Sequence, residues 1–312
     1  QPHSHVAMSQ YQTITSTLPF ASPGRFYKGN LHTHCTRSDG DYPVAEVVRC
    51  YRDKGYDFLA ISDHFLERYD YPITDTRAFR SEAFTTLIAA ELHAGKLLND
   101  ELWHVLAVGL PLDFAPKGVD EGIVTLAERA FAAGAYIGIV HPAWYGLRPE
   151  DVRLLPFANA VEVYNHGSEI ENDRGDGWGL CDILLNEGRR LHGFATDDAH
   201  HMVHDAFGGW IHVKAQSLDS QSILESLKAG AYYSSQGPQI ENIEVSADEV
   251  LIECSPARAV MISGRGSRAD KVLGTGIRSA RLSLQRFTPG HFRITVVDAD
   301  GRKAWSNPVW LE

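Results

Sequence analysis

Between Lys28 and Ser235 short apolar runs alternate with amphipathic stretches, and this alternation admits few folds. Gly29–His34 reads as a strand. Pro43–Lys54 reads as a helix: Pro43 suits a first helical position, Val44, Val47, Val48 and Tyr51 share a face, and Gly55 ends it. Asp57–Ser62, Thr85–Glu91 and Trp103–Gly109 read as further strands. A helix over Asp120–Ala133 leads through Gly134 to the apolar strand Ala135–Val140. Ala160–Tyr164 and Leu191–Ala195 are strands flanking a helix at Gly179–Glu187, and Ser220–Lys228 is a last helix stopped at Gly230. Strands that alternate with helices predict β–α units and a mainly parallel sheet. About seven such strands suit a closed or distorted barrel, with functional residues at the carboxyl ends of the strands.

After about Gln239 the texture changes. Ile240–Val245, Val250–Cys254, Val260–Gly264, Ala280–Gln285, His291–Val297 and Ala304–Leu311 are short runs with partial alternation, separated by turns such as Asp298-Ala299-Asp300-Gly301. The expected division is an N-terminal extension over 1–27, an α/β barrel over 28–238, and a small β-sandwich-like domain over 239–312. The residues before Met8 look unlike a folded start and read as a non-native scar, so His3 and His5 are set aside. No run of 18 apolar residues is present and no signal segment opens the chain, so neither a membrane span nor secretion is expected. Cys35, Cys50, Cys181 and Cys254 form no C-x-x-C pair and suggest no disulfide framework, which points to a reducing cytoplasm. The net charge of −11 argues against a nucleic-acid surface, and leaves room for a small anionic substrate held locally.

The unusual number is 15 histidines, several at strand ends beside acidic residues. His32 and His34 close the first strand, and Asp39 follows in Thr36-Arg37-Ser38-Asp39-Gly40. Asp63-His64 closes the second, Glu91 and His93 the third; His104 opens the fourth, His141-Pro142 closes the fifth, and Asp198 and His200 close the seventh. Residues i and i+2 of a strand point the same way, so His32 and His34 aim two imidazoles at one point, and Asp198 and His200 do likewise if extended geometry persists. Imidazole and carboxylate suit zinc, manganese or iron. A lone histidine is usually an ordinary core or surface residue; the recurrence at successive strand ends, where desolvation is costly, is what points to a shared metal site.

In this order, His32-Thr33-His34, Ser38-Asp39-Gly40, Ser62-Asp63-His64, Glu91, His104–Gly109, Val140-His141-Pro142 and Asp198-Ala199-His200 resemble the polymerase and histidinol phosphatase (PHP) domain. The resemblance spans roughly Lys28 to Ser235 and implies a distorted (β/α)7 barrel with two or three divalent metals. It implies that His32, His34, Glu91 and Asp198 hold the first metal, that Glu91 bridges to a second held by His104 and His141, and that Asp39, His64 and His200 hold a third. His93 shares a strand face with Glu91 and competes with His104 on geometry, where the resemblance favours His104. Asp197 and Asp198 are adjacent, and spacing favours Asp198. Ala231–Pro238 and Lys303–Pro308 further resemble a branch of PHP metallohydrolases that includes carbaryl hydrolases and also appends a small β domain.

The implied reaction is hydrolysis by a metal-activated hydroxide, with the catalytic weight on Glu91, Asp198 and His200. Arg37, Arg148 and His166 are candidate substrate contacts; the alternative for Arg37 is a solvated loop arginine, for Arg148 a surface role and for His166 a general acid, and Trp144 and Tyr145 form either a substrate wall or packing under a loop. Glu162 suits a hydrogen-bonded structural acid inside the barrel, Cys35 a buried inert thiol, and His192, His201 and His204 ordinary histidines. The leading function is a phosphoesterase acting on a small phosphate monoester or diester. A carbamate, ester or amide hydrolase using the same metals comes second, and a non-catalytic metal-binding module third.

Overall fold

The computed structural model describes residues 9–311; Met8, with His3 and His5, lies outside the described residues. The chain divides into two compact units, one of Gly24–Gln236 and the other joining Gln1–Pro23 to Gly237–Glu312.

The strands of the first unit are β1 (Arg25–Asn30), β2 (Phe58–Ile61), β3 (His64–Phe65), β4 (Thr85–Leu92), β5 (Val105–Val108), β6 (Tyr136–Ile139), β7 (Ala160–Asn165), β8 (His192–Thr196), β9 (Trp210–Ala215) and β10 (Tyr232–Ser235). Their order is β10-β9-β1-β2-β4-β5-β6-β7-β8, with β3 beside β4. Parallel pairs join β1 to β2, β2 to β4, β6 to β7 and β7 to β8, whereas β4–β5, β5–β6, β1–β9 and β9–β10 are antiparallel. This mixed sheet, closed by no ladder, stands in place of the expected mainly parallel (β/α)7 barrel. The chain returns from β4 to β5 without a helix, so the crossover that enforces parallel pairing is missing. β8 and β10 also touch: Ser234 Oγ accepts from the Ala195 N–H at 3.0 Å and donates to the Gly193 carbonyl at 3.2 Å, and the His192 and Tyr232 rings lie 6.1 Å apart.

The helices cover this sheet with the faces their sequences mark. Val44–Asp53 buries Val47, Val48 and Tyr51 beneath a Pro43 cap, and Ile123–Ala132 buries Ile123, Leu126, Ala127 and Ala130. Ser220–Lys228 is capped by Asp219, whose side chain accepts from the Ser222 N–H, and it buries Ile223, Leu224 and Leu227. The sheet interior packs Leu31, Phe58, Leu106, Tyr136, Phe194 and Ile211 into one core. All four cysteines are free thiols. No helix among the described residues is long and apolar enough to cross a membrane.

The second unit is antiparallel. β11 (Ile240–Val245), β13 (Ala269–Ser283) and β14 (Gly290–Val297) pair with the long β12 (Glu249–Gly264), and β15 (Lys303–Ser306) and β16 (Val309–Leu311) pair with β14. The two runs Val250–Cys254 and Val260–Gly264 are thus one strand. Its register shifts around Pro256, because proline cannot donate to a ladder. The helix Gln10–Thr17 belongs to this unit: Thr15 Oγ1 donates to the Val245 carbonyl at 3.2 Å and accepts its N–H at 2.9 Å.

Candidate metal centre

The ladder of β1 ends at Asn30, but the chain stays extended beyond it. The Ser62 N–H donates to the Thr33 carbonyl, and the N–H groups of His34 and Asp198 donate to the carbonyls of Ala199 and His32. His32 and His34 therefore do point the same way. Their Nε2 atoms lie 3.2 and 3.3 Å from Glu91 Oε2, and 3.2 and 2.9 Å from Asp198 Oδ1.

Glu91, on β4 and 1% exposed, is the hub. Its Oε1 is 2.7 Å from His104 Nδ1 and 3.2 Å from His141 Nε2, and its Oε2 is 3.2 Å from His64 Nδ1. Asp39 Oδ1 extends the cluster, at 3.3 Å from His64 Nε2 and 3.4 Å from His200 Nε2. Contacts of this kind link all of His32, His34, Asp39, His64, Glu91, His104, His141, Asp198 and His200. His93 joins them: its Nδ1 donates to the Trp103 carbonyl at 2.9 Å, which turns Nε2 toward His64 Nδ1 at 2.8 Å. His93 and His104 thus face the same cluster. Three overlapping groups could each hold a cation: His32, His34, Glu91 and Asp198; His34, Asp39, His64 and His200; and His64, Glu91, His93 and His104.

The atoms left over fit a metal. His32 Nε2, His34 Nδ1, Glu91 Oε2 and His141 Nδ1 are buried without a hydrogen-bond partner. Each such group costs about 1–3 kcal/mol when unsatisfied, so these atoms, three of them on residues that could together hold a cation, call for a ligand. Electrostatics agree. Burial pushes the His34 imidazole down, but Asp198 and Glu91 outweigh it and hold the ring up at about 10. His32 is raised well above its usual value against the same burial, by Asp198, Glu91 and Glu162. In return, and again against burial, the histidines hold Glu91 and Asp198 well below the carboxylate range. Burial, joined by the neighbouring His141 and His64, brings His104 down to about 4, where it is a neutral donor, although Glu91 pulls the other way. Sites that hold protons this tightly at neutral pH attract cations, and a metal takes the protons' place.

Buried acids behind the cluster orient it. Glu162 on β7 accepts from His32 Nδ1 at 2.8 Å, Thr196 Oγ1 at 2.7 Å, the His141 N–H at 2.8 Å and Asn165 Nδ2 at 2.6 Å. The Nδ1 proton of His32 is thereby fixed, and Nε2, which faces Glu91 and Asp198, is the nitrogen that would exchange its proton for a metal. Asp63 accepts from the Cys35 N–H and Sγ, Ser38 Oγ and Thr74 Oγ1, and so pins the loop that carries Asp39. Cys35 itself is inert: burial, with Asp63 beside it, pushes its thiol up to about 12. Asp197 faces away from the cluster and accepts from Tyr51 Oη and the N–H groups of Phe207, Gly208 and Gly209. Extended geometry does not persist at Asp198, whose φ is 52°; His141 has φ 28°. Left-handed backbone at non-glycine residues costs on the order of 1–3 kcal/mol each and gathers at functional sites.

The cluster opens into a cavity of about 520 Å³. Trp144 lines it, and Tyr145 packs edge-on against His104 and His141 at 5.2 and 5.0 Å. The exposed Arg37 and Arg148 are not among the lining residues, nor is His166, whose Nδ1 is 2.8 Å from Tyr164 Oη. Arg68, His201 and His204 do line it. Arg68 sits in the 3-10 turn Glu67–Tyr69, just after His64-Phe65, where no periodicity marks it in the sequence.

No family model matches the chain. Over 63 residues, 20% of its length, it is 32% identical to the DNA polymerase/3'-5' exonuclease PolX of Bacillus subtilis (strain 168), of which that stretch covers 11%. A crystal structure of a two-domain protein containing a predicted PHP-like metal-dependent phosphoesterase, from Bacteroides vulgatus ATCC 8482, aligns over 91% of this chain and 97% of its own, with 15% identity and a TM-score of 0.52. The fold is PHP-like. An amidohydrolase from Chromobacterium violaceum, with bound sulfate and no metal, aligns over 57% of this chain and 89% of its own, with 13% identity and a TM-score of 0.40.

Proposed function

We propose that the chain is a multinuclear metal-dependent hydrolase, a phosphoesterase that cleaves a small phosphate monoester or diester. The observation that carries this reading is the single Glu91 carboxylate shared by His32, His34, His64, His104 and His141. His32, His34, Glu91 and Asp198 would hold one ion, Glu91 with His104 and His141 a second, and Asp39, His64 and His200 a third. Zinc, manganese or iron suits these donors, and bound there would supply Lewis acidity and bring the pKa of water toward about 7.

The chain's own residues prepare the reaction. Glu162 keeps the proton on His32 Nδ1, and Asn165 Nδ2 donates to Asp198 Oδ2 at 3.1 Å, so that Oδ1 is left to the cluster. His200 lines the cavity, and the contact of its Nδ1 with the Asp198 carbonyl at 2.9 Å turns Nε2 toward Asp39, where it would serve the third ion. Trp144 and Tyr145 shield His104 and His141 from bulk water.

The apolar part of the cavity wall, Leu66, Leu102, Trp144 and Ile170, favours a second reading, hydrolysis of a carbamate, ester or amide by the same cluster. A panel of p-nitrophenyl phosphate, bis-p-nitrophenyl phosphate and a naphthyl carbamate, assayed with manganese or zinc, separates the two. We expect phosphoester turnover that disappears, together with bound metal, in the His32→Ala/His34→Ala double variant. Turnover of the carbamate alone selects the second reading. Full activity of the double variant at matched metal content overturns both, and no turnover on the whole panel leaves a non-catalytic metal module.

A further inference from the structure

Outside the metal cluster the cavity has few means of holding charge. Among the described residues, Arg68 is the only lysine or arginine that lines it; it is exposed, and its guanidinium lies 4.8 Å over the ring of its neighbour Tyr69. His201 Nδ1 is already paired with the Asp41 carboxylate, 2.7 Å away. Glu171 and Asp205 add negative charge to the lining. Backbone donors are engaged too: the Gly167 N–H donates to the Asp197 carbonyl at 2.7 Å and the Ser168 N–H to Asn165 Oδ1 at 2.8 Å.

Beside His204 and Ser168, the remaining lining has an apolar part made of Leu66, Leu102, Trp144 and Ile170. Leu102 and Ile170 are 40% and 49% exposed, which places two large aliphatic side chains in water at the mouth of a polar site. Trp144 continues this wall inward, edge-on to His104 at 5.5 Å and His141 at 4.8 Å. Apolar surface beside a charged reaction centre is what a substrate with one charged end and one apolar end covers.

We propose, resting on the phosphoesterase reading above, that the substrate carries a single phosphate at the metal cluster, and that its alcohol is uncharged and apolar and lies against Leu66, Leu102, Trp144 and Ile170. Arylalkyl phosphates are the chemical class; the wall of Leu66, Leu102, Trp144 and Ile170 offers no partner to a second phosphate or to the hydroxyls of a polyol laid against it.

The test uses the metal-loaded full chain. Benzyl phosphate and 2-naphthylmethyl phosphate are compared with glycerol 1-phosphate and fructose 1,6-bisphosphate, all esters of alkyl alcohols, so leaving-group chemistry stays close. A hydrophobic contact contributes about 10- to 200-fold in kcat/KM, so we expect the naphthylmethyl ester to exceed glycerol 1-phosphate at least about tenfold. The Leu102→Ser/Ile170→Ser double variant should lower that ratio, mainly through KM. A ratio near one, a preference for the bisphosphate, or a ratio unchanged in the double variant overturns the proposal. Calorimetric binding of 2-naphthylmethylphosphonate against methylphosphonate reads the same preference without turnover. Selective phosphonate binding with no ester hydrolysis supports the apolar wall and sinks the phosphoesterase reading instead; equal binding overturns the wall's role.

Discussion

The two units treat burial in opposite ways. In Gly24–Gln236, strand ends bury histidines and carboxylates: His32, His34, Glu91, His93, His141 and Glu162 are each 3% exposed or less. In the second unit the strands bury alternate apolar residues, such as Ile243 and Val245 on β11 or Val250, Ile252 and Cys254 on β12. Its buried polar side chains are His291, Arg293, Thr295 and Ser306. Its edge strand β13 exposes Lys271, Arg278 and Arg281, charges that discourage pairing with another chain. One region gives up stability for a reactive cluster. The other follows the ordinary rules of a two-faced sheet.

That contrast predicts different kinds of damage. The largest effect belongs to Glu91→Gln, which removes the shared carboxylate. Turnover should fall more than about 10³-fold, beyond the loss of one preorganised donor, and steady-state kinetics at saturating metal measures it. A fall of less than tenfold would break the comparison. On the other side, Ile294→Ala empties a fully buried position of β14. Denaturation should show a loss of about 2–5 kcal/mol, with kcat of the folded protein unchanged.

Glu162→Gln sharpens the comparison, because it touches the cluster only through His32, His141 and Asn165. Metal affinity should drop about 10- to 100-fold while the shape of the side chain is kept. Competition with a chelator reads this out, and unchanged affinity would make Glu162 a packing residue.

The smallest effect is on pH. Burial holds the His192 imidazole down at about 4, against 6.5 in the unfolded chain. Between these values the unfolded state binds a proton that the folded state does not, so stability falls as pH drops from 6.5 toward 4 and is unaffected by this group above 6.5. His192→Gln should flatten part of that fall in denaturation curves taken across the window; an unchanged slope contradicts the assignment.

Much of the fold was legible because periodicity reports burial directly. The helix Ser220–Lys228 and the strand Ile240–Val245 begin and end where their patterns place them. Strand direction was not legible, since residues do not encode it: the helix-free return from β4 to β5 decides it. β9 was overlooked although Trp210–Ala215 alternates in burial, because its half-buried positions hold Trp210, His212 and Lys214 and imitate a polar connection. At the site, the spacing of two was enough for His32 and His34 because the backbone stays extended. It did not describe Asp198, where a left-handed residue and the acceptor Asp205, which binds the N–H groups of His200, His201 and Met202, set the direction. Arg68 comes to the cavity on an irregular turn, which no sequence period could announce.

The central claim is that Glu91 and its histidines form one multinuclear centre that performs the chemistry. Its most direct test is metal stoichiometry by elemental analysis, taken with phosphoester turnover on the same samples as metal is removed and restored. The account predicts two or three divalent ions per chain, activity that vanishes on chelation and returns with metal, and neither property in Glu91→Gln. Full turnover by chelated protein shown to hold no metal would contradict it.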